Sequence, residues 1–213
     1  MQTERSKRGV DALFKATPED LAKAYRSGIT PRTSITSPLR IDAIAVNGTN
    51  GLIGMTICPG KNGPSTNGGP WQRDMSTDIN VLRDWQCRDL LTLMEAGELE
   101  SFHVTNIGDA AAAAGIAWHF IPMTDGDPPN ERFEPLWPAI GQRLVTTVRE
   151  GGRVVVHCRG GLGRTGTVVC MLLVEMGYAP KRAMELVRSV RPGAVETPAQ
   201  ERFVLGYLAN LDA

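Results

Sequence analysis

The 213-residue sequence has no excess of charge of either sign, because 23 Lys and Arg residues balance 23 Asp and Glu residues. Proteins that bind nucleic acid through bulk charge carry a basic surplus, so the balance argues against that class. No apolar run approaches the ~18 residues of a membrane-spanning helix. The N-terminal MQTERSKRGVDALFK also lacks the apolar segment of a secretory signal. We therefore expect a soluble, cytoplasmic protein that binds neither nucleic acid nor a membrane.

Cysteine is scarce and dispersed. The four thiols are those of Cys58, Cys87, Cys158 and Cys170, and no two of them form a Cys-x-x-Cys pair. This spacing argues against a disulfide framework and against a zinc site, and it is typical of reduced thiols. The histidines are also scattered, so we expect no metal and no other cofactor. We expect Cys87 and Cys170 to be packing residues.

The alternation of apolar and amphipathic segments predicts a single-domain α/β fold. A central, mostly parallel sheet with helices on both faces is expected. The predicted strands are IDAIAV, GLIGMTI, DLLTLM, IAWHFIPM and RVVVHC. The predicted helices are STDINVLRDWQ, IGDAAAAAG, residues 133–150, TGTVVCMLLVEMG and PKRAMELVRSV, and TPAQERFVLGYLANL closes the chain. Residues 1–40 are predicted to form an N-terminal arm with a short helix around residues 18–26, and residues 41–213 the catalytic domain.

The stretch VVVHCRGGLGRTG is unlike ordinary core. Three valines lead into His157 and Cys158, which are followed by three glycines within four positions, Arg164, Thr165 and a fourth glycine. A strand that ends in a glycine-rich turn and opens into a helix directs successive backbone N–H groups at one point. Such a turn binds anions, and the helix dipole reinforces it. Because the sequence has no G-x-x-x-x-G-K-[ST], binding of a nucleoside triphosphate is disfavoured.

A cysteine at the start of this anion site is placed for chemistry on phosphorus. Nearby arginine, backbone N–H groups and a helix N-terminus all favour the thiolate. Arg164 can bind two phosphate oxygens at once. A buried structural cysteine beside a tight turn is the alternative, but such a turn requires neither three glycines nor an arginine. The stretch therefore predicts a nucleophile directly beneath a bound phosphate.

HCRGGLGRTG resembles the signature of the cysteine-dependent protein tyrosine phosphatase superfamily. With GEL (97–99) and IPMTDGDPP (121–129), it is similar to the dual-specificity branch that includes the cyclin-dependent-kinase-associated phosphatase. CPGK (58–61) and WQRD (71–74) resemble bacterial relatives of that branch. The resemblance covers residues 40–210 and implies a protein tyrosine phosphatase-like fold. It also implies an enzyme that removes phosphate from phosphotyrosine in proteins or peptides, with or without dual specificity.

By position, the resemblance makes Cys158 the nucleophile that forms a phosphocysteine and Arg164 the group that binds the phosphoryl oxygens. It places Thr165 where a hydroxyl eases departure of the thiolate, and it places His157 beneath the thiol as an orienting residue. The phosphate-binding residues that it implies are Arg159, Gly160, Gly161, Leu162, Gly163 and Arg164.

The leaving phenolate or alkoxide needs a proton, which a carboxylic acid from another loop can donate. The family places this acid on a mobile loop, here MTDGDPP. Alignment on Pro122 makes Asp125 the acid, and Asp127 is the alternative. A solvated aspartate in a turn is the plainer interpretation of either residue, since aspartate is common beside Gly and Pro.

Four further residues are accessory candidates. AVETPAQERF resembles the segment in which some phosphatases use glutamines to position the hydrolytic water, and Gln200 matches the later glutamine. Glu196 replaces the earlier one, and a carboxylate at a helix N-terminus is an equal alternative for it. Residues 58–70, CPGKNGPSTNGGP, predict a long loop of the kind that is often functional. In and beside this loop, Lys61 and Arg73 either line the mouth and attract an acidic phosphosubstrate or are solvated surface charges.

Three other functions are open at this stage. The first is a catalytically silent module that binds phosphoproteins, against which the intact Cys158, Arg164 and Thr165 count. The second is a rhodanese or an arsenate reductase, which the R-T-G ending and the separate aspartate disfavour. The third is a phosphoinositide or other small-molecule phosphatase, whose loops tend to carry more lysines. Met94 stands where some relatives keep a protective cysteine, so we do not expect a reversible disulfide.

Overall fold

The computed structural model describes residues 30–65 and 68–211. The helix predicted around residues 18–26 lies outside the described residues. The strands are β1 (Arg32–Thr33), β2 (Asp42–Ala45), β3 (Leu52–Thr56), β4 (Asn62–Gly63), β5 (Trp71–Gln72), β6 (Cys87–Thr92), β7 (Ala117–Phe120) and β8 (Arg153–His157). The helices are α1 (Met75–Asp84), α2 (Ala96–Ser101), α3 (Ile107–Ala113), α4 (Trp137–Arg149), α5 (Gly163–Glu175), α6 (Pro180–Val190) and α7 (Pro198–Gly206).

The central sheet has five strands in the order β2-β3-β8-β6-β7. Strand β2 runs antiparallel to β3, whereas β3, β8, β6 and β7 run parallel to one another. Parallel neighbours require crossover connections, which the helices provide, and these helices bury the sheet on both faces. The predicted α/β architecture with a mostly parallel sheet is confirmed.

Alternate side chains of the central strands enter two separate cores. Val154 and Val156 of β8 pack in the larger core with helices α4 to α7, whereas Val155 packs in the smaller core with α1 and α3. Cys170 is buried in the larger core and Cys87 in the smaller one, as predicted for packing residues. Within residues 30–65 and 68–211, no helix combines the length and the hydrophobicity needed to cross a bilayer.

Helix α4 begins later than predicted. The sequence pattern predicts a helix from residue 133, but residues 131–136 form turns and the helix starts at Trp137. Pro138 explains the difference, because it lies in the first turn, where a missing N–H costs little. A helix that began at residue 133 would have placed this proline in its interior. Helix α4 ends at Arg149, within one residue of the predicted end at residue 150, and Gly151 and Gly152 follow.

The predicted long loop contains part of a second, three-stranded sheet in the order β1-β5-β4. Strand β5 pairs parallel with β1 and antiparallel with β4. The ring of Trp71 in β5 lies 5.0 Å from the guanidinium of Arg32 and 4.2 Å from the ammonium of Lys61. This small sheet brings Lys61 close to the end of β8, where the backbone N–H of Cys58 donates to the carbonyl of Arg159.

Candidate active site

The loop between β8 and α5 follows the carboxyl end of a central parallel strand, which is the usual place for a site in such a sheet. We call residues 158–164 the phosphate loop. The Cys158 thiol is almost fully buried, and the backbone N–H of Gly161 donates to its sulfur at 3.2 Å. Gly161 has a φ of +69°, and a Cβ there would collide with the carbonyl oxygen of Thr56. Glycine is therefore required at the position that turns the backbone N–H toward the thiol.

Arg191, thirty residues after Gly161, holds the phosphate loop from outside. Its guanidinium donates to the carbonyls of Gly160, at 2.9 Å, and of Gly161. It also forms an ion pair with Asp42 at 2.5 Å. These contacts keep the two carbonyls on the outer side of the turn. The sequence analysis missed Arg191, since nothing in its local pattern points to a loop so far away along the chain.

The guanidinium of Arg164 is fully buried and is held by Glu98. Its two terminal nitrogens donate to the two carboxylate oxygens at 2.5 and 2.9 Å, and one of them also donates to the carbonyl of Met123 at 3.0 Å. Burial lowers the pKa of Arg164, but the Glu98 hydrogen bond and the neighbouring negative charges outweigh burial and raise it. Arg164 is thus a charged, oriented group. The sequence analysis missed the role of Glu98, although this residue lies in the GEL segment that carries the resemblance.

Two buried donors at the end of the phosphate loop and directly after it have no hydrogen-bond partner. They are Nε of Arg164 and the hydroxyl of Thr165, which belong to a set of three such side-chain atoms found among the described residues. Buried polar groups are nearly always paired, so an unpaired donor calls for an explanation. Donors of this kind suit an anionic ligand, or the thiolate itself.

His157 is held in one orientation beneath the thiol. Its Nε2 lies 2.7 Å from the hydroxyl of Thr92, which accepts the indole N–H of Trp118 at 2.8 Å. The carbonyl of Cys158, 3.4 Å from Nδ1, can only accept, so in the neutral ring Nδ1 carries the proton and Nε2 accepts from the hydroxyl of Thr92. Burial lowers the pKa of His157 to about 4, so the ring is neutral at physiological pH.

Residues 123–129, the acid loop, lie above the phosphate loop. The carboxylate of Asp125 forms ion pairs with Arg159 at 2.7 Å and with Arg164 at 3.0 Å. The side chain of Asp127 is exposed, and its backbone carbonyl accepts the side-chain amide of Gln200 at 3.2 Å. Of the two acid candidates, Asp125 is the one that the structure brings to the phosphate loop.

Lys61 is neither a solvated charge nor a group at an open mouth. Its ammonium is buried, donates to the carbonyl of Arg159 at 2.9 Å and lies over the ring of Trp71. Burial lowers the pKa of Lys61 to about 8, and the nearby thiols of Cys58 and Cys158 oppose this decrease. Lys61 is therefore part of the support of the phosphate loop.

Arg73 does not face the site, which corrects both interpretations of this residue. Its guanidinium is buried against the carboxylate of Asp78, with nitrogen–oxygen distances of 2.7 and 2.8 Å. A third nitrogen donates to the carbonyl of Ser37 at 2.6 Å. With these partners and with 3% of its surface exposed, Arg73 cannot attract a substrate. It fastens α1 to the chain that precedes β2.

Glu196 and Gln200 bind main-chain groups. The carboxylate of Glu196 accepts the backbone N–H of Gly163 at 2.7 Å, so it lies at the N-terminus of α5, where the dipole favours it. The side-chain oxygen of Gln200 accepts the backbone N–H groups of Glu196 and Thr197 at 3.1 and 3.3 Å. Its amide nitrogen donates to Asp127, so both ends of the Gln200 amide are in use.

Among the described residues, no three His, Cys, Asp or Glu side chains form a group that could hold a metal ion. The groups that the structure does assemble are a thiol among backbone donors, an oriented guanidinium and a carboxyl group above both. This set can bind a tetrahedral oxyanion, attack its central atom and exchange a proton with a leaving group.

Comparisons with known proteins agree with this chemistry. A family model described as "PTP-SAK: Swiss Army Knife protein, DSP-PTPase phosphatase domain" matches residues 70–204, more than half of the chain. The chain is 29% identical to "Cyclin-dependent kinase inhibitor 3" of Mus musculus over 144 residues, which are 67% of each protein. It is 35% identical over 106 residues to "Probable protein tyrosine phosphatase type IVA B" of Dictyostelium discoideum, which is 49% of this chain and 64% of that one.

Solved structures show the same fold. A kinase associated phosphatase whose catalytic-site cysteine was replaced by serine superimposes with a TM-score of 0.69 and 24% identity, over 79% of this chain and 93% of that one. Tk-PTP in its active form superimposes with a TM-score of 0.57 and 26% identity, over 77% of this chain and 93% of that one. The protein tyrosine phosphatase-like fold expected from the sequence is confirmed.

Proposed function

Since this chain belongs to the DSP-PTPase phosphatase family and is a phosphatase, we propose that it hydrolyses phosphotyrosine in proteins through a phosphocysteine formed on Cys158. One observation carries the residue assignment. The Cys158 thiol accepts the backbone N–H of Gly161, and the carboxylate of Asp125 lies 3.0 Å from the guanidinium of Arg164, which belongs to the same loop as Cys158. A nucleophile, a phosphate-binding group and an acid are thus within reach of one phosphoryl group.

In the first step, the Cys158 thiolate attacks phosphorus while the bond to the leaving oxygen breaks. Arg164 and the loop N–H groups bind the three remaining oxygens, on which charge is spread in the transition state. These oxygens displace the Asp125 carboxylate from Arg164, and the released carboxylate takes up a proton from solvent and donates it to the leaving oxygen. The products are the phosphocysteine and the free hydroxyl of the substrate.

In the second step, water attacks the phosphocysteine. Asp125, now a carboxylate, accepts a proton from the water, and the sulfur–phosphorus bond breaks. The thiolate that leaves is stabilised by the hydroxyl of Thr165, a buried donor that has no partner in the described structure. Inorganic phosphate departs, and the loop returns to its starting state.

Two features support a phosphoprotein substrate over a polyphosphorylated small molecule. Two of the proteins reported above are described as a probable protein tyrosine phosphatase and as a kinase associated phosphatase. In addition, two cations that could have bound a second phosphate are occupied, Lys61 by the carbonyl of Arg159 and Arg73 by Asp78. A site built for several phosphates would leave such cations facing the ligand.

Turnover of p-nitrophenyl phosphate, followed by a panel of phosphotyrosine, phosphoserine and phosphothreonine peptides and of phosphoinositides, tests this function. We expect phosphotyrosine peptides to have the highest kcat/KM. Cys158→Ser should bind vanadate yet lose turnover by several orders of magnitude, because a hydroxyl is not ionised near neutral pH. Mass spectrometry of acid-quenched enzyme should find the phosphoryl adduct on Cys158. Substantial turnover by the purified variant would refute the covalent mechanism, and binding without any turnover by the natural sequence would favour the silent module.

A further inference from the structure

The acid loop is fastened to residues 196–200, which we call the bracket segment. The hydroxyl of Thr197 donates to the carbonyl of Gly126 at 2.9 Å, and the amide of Gln200 donates to the carbonyl of Asp127 at 3.2 Å. These two carbonyls directly follow the residue proposed as the acid. The backbone on this side of the acid is therefore held by two side chains outside the phosphate loop.

The side-chain amide of Gln200 is fixed in one orientation by its packing and its hydrogen bonds. Its side chain is fully buried, and its oxygen accepts two backbone N–H groups of the bracket segment. Because the oxygen faces two donors and the nitrogen faces the Asp127 carbonyl, the orientation of the amide is determined. Turning this amide toward a water molecule would leave buried donors and acceptors unpaired, which is costly.

The bracket segment is fastened to the phosphate loop as well. Glu196 accepts the backbone N–H of Gly163 at 2.7 Å, and the backbone N–H of Val195 donates to the carbonyl of Leu162 at 3.4 Å. Val195 has a φ of +59°, which is strained for a β-branched residue, and its carbonyl is held by Arg188 at 3.1 Å. Strain of this kind persists only where the surrounding structure imposes it. The acid loop and the phosphate loop thus share one rigid support.

We propose that Thr197 and Gln200 are positioning residues that hold the acid loop closed, so that Asp125 lies within proton-transfer distance of the leaving oxygen. This inference rests on the proposed function and assigns Gln200 to the first chemical step. A glutamine that positions water would instead act in the second step. The two roles differ in kcat/KM, which reports the steps up to departure of the leaving group. There the acid matters only for a leaving group that requires a proton, whereas a residue that positions water for the second step leaves kcat/KM unchanged.

The test compares Thr197→Val, which keeps the shape and removes the hydroxyl, with Thr197→Ser, which keeps the hydroxyl. For Thr197→Val we expect kcat/KM on phenyl phosphate to fall about five- to tenfold, the equivalent of one hydrogen bond. On an ester whose leaving group departs unassisted, kcat/KM should change less than about twofold. Thr197→Ser should retain the natural leaving-group dependence. Loss of the hydroxyl also weakens the N-terminal cap of α7, but a loss of helix stability does not discriminate between leaving groups.

Gln200→Leu should show the same leaving-group dependence of kcat/KM. An unchanged kcat/KM together with accumulated phosphocysteine would overturn the proposal, because it would show that Gln200 acts only on water in the second step. Equal losses on both esters for Thr197→Val, or no loss on either, would also overturn it. If Gln200→Leu does not fold, Thr197→Val decides alone. Asp125→Asn serves as the reference: without leaving-group dependence in that variant, the proposed acid is wrong and the bracket proposal falls with it.

Discussion

A substitution of Glu98 can change one contact of the Arg164 guanidinium without moving the backbone of Arg164. Glu98 has a second role, because its carboxylate accepts the backbone N–H of Glu95 at 2.9 Å and so caps helix α2. Glutamine fills this capping position as well as glutamate does. Glu98→Gln should therefore keep the helix cap, while an amide group replaces one of the two oxygens that face Arg164.

The expected magnitude follows from the burial of the pair. Arg164 is fully buried, and both of its terminal nitrogens donate to Glu98, at 2.5 and 2.9 Å. Removing one partner of a buried pair costs about 3–5 kcal/mol, because it leaves a buried charge uncompensated. Asp125 and the bound phosphoryl group compensate part of this charge, so the lower limit of about 3 kcal/mol applies. This cost falls on the free energy of unfolding. A lost hydrogen bond to a charged group is worth about 1.5–3 kcal/mol, so at 1.36 kcal/mol per factor of ten, loss of the orienting contact should lower kcat/KM about 10- to 100-fold.

The assay is kcat/KM on a phosphotyrosine peptide, with urea unfolding measured in parallel. Glu95→Gln is the matched control, because Glu95 lies three residues away and pairs with Arg132 on the surface at 2.7 Å. Exposed pairs contribute about 0–1 kcal/mol, and this one does not contact Arg164. If kcat/KM of Glu98→Gln lies within threefold of the natural value, Glu98 does not orient the guanidinium. Equal losses of kcat/KM in Glu98→Gln and Glu95→Gln would lead to the same conclusion.

Three further predictions concern the other groups of the site. Asp125→Asn should slow hydrolysis of phenyl or alkyl phosphates by ~10²–10⁴-fold and hydrolysis of an activated ester much less. Asp127→Asn should show little dependence on the leaving group. The reverse pattern would assign the acid to Asp127. Arg164→Lys keeps the charge but loses the planar fork, so kcat should fall sharply. Lys61→Met should lower kcat by loosening the phosphate loop. An effect of Lys61→Met confined to KM for acidic peptides would show that this lysine contacts substrate instead. Burial lowers the pKa of His157 to about 4, so between pH 6.5 and 4 the unfolded chain binds a proton that the folded chain excludes. The free energy of unfolding should therefore fall as the pH decreases through this window, by up to about 1.4 kcal/mol per pH unit, and His157→Gln should flatten that slope; an unchanged slope would contradict the assignment.

The phosphate loop could be predicted from the sequence because its chemistry lies within ten consecutive residues. A β-branched strand, a cysteine, closely spaced glycines and an arginine before an apolar helix are all local signals, and each has a physical reason. The sheet was predictable for a similar reason, since buried parallel strands are continuous apolar runs. The start of α4 was wrong, where Pro138 outweighs the apolar pattern before it, and the short helix α2 and the small sheet β1-β5-β4 were not predicted.

The predictions for Lys61 and Arg73 failed in part because a charge in a polar, glycine-rich loop is normally solvated. The partners of both residues depend on how the loop folds. Arg73 pairs with Asp78 in the first turn of the following helix, and Lys61 donates to a backbone carbonyl of the phosphate loop 98 residues away. The sequence shows a positive charge in each case, but not the acceptor that buries it.

The rest of the site follows from the order of the strands rather than from any local pattern. In the sheet, β3, β8, β6 and β7 are consecutive parallel neighbours, so their carboxyl ends form one edge. The chain that follows each of these strands supplies a charged group to the site, in the order Lys61, Arg164, Glu98 and Asp125, so two cations precede two carboxylates along this edge. Arg164 therefore lies between Lys61 on one side and Glu98 on the other, and its guanidinium is oriented by Glu98. Arg73 follows β5 of the small sheet instead, which is why a similar charge in the same loop region has no place at this edge. Once the strand order is known, the charged residues in the segments that follow adjacent parallel strands are the ones to test for a shared site.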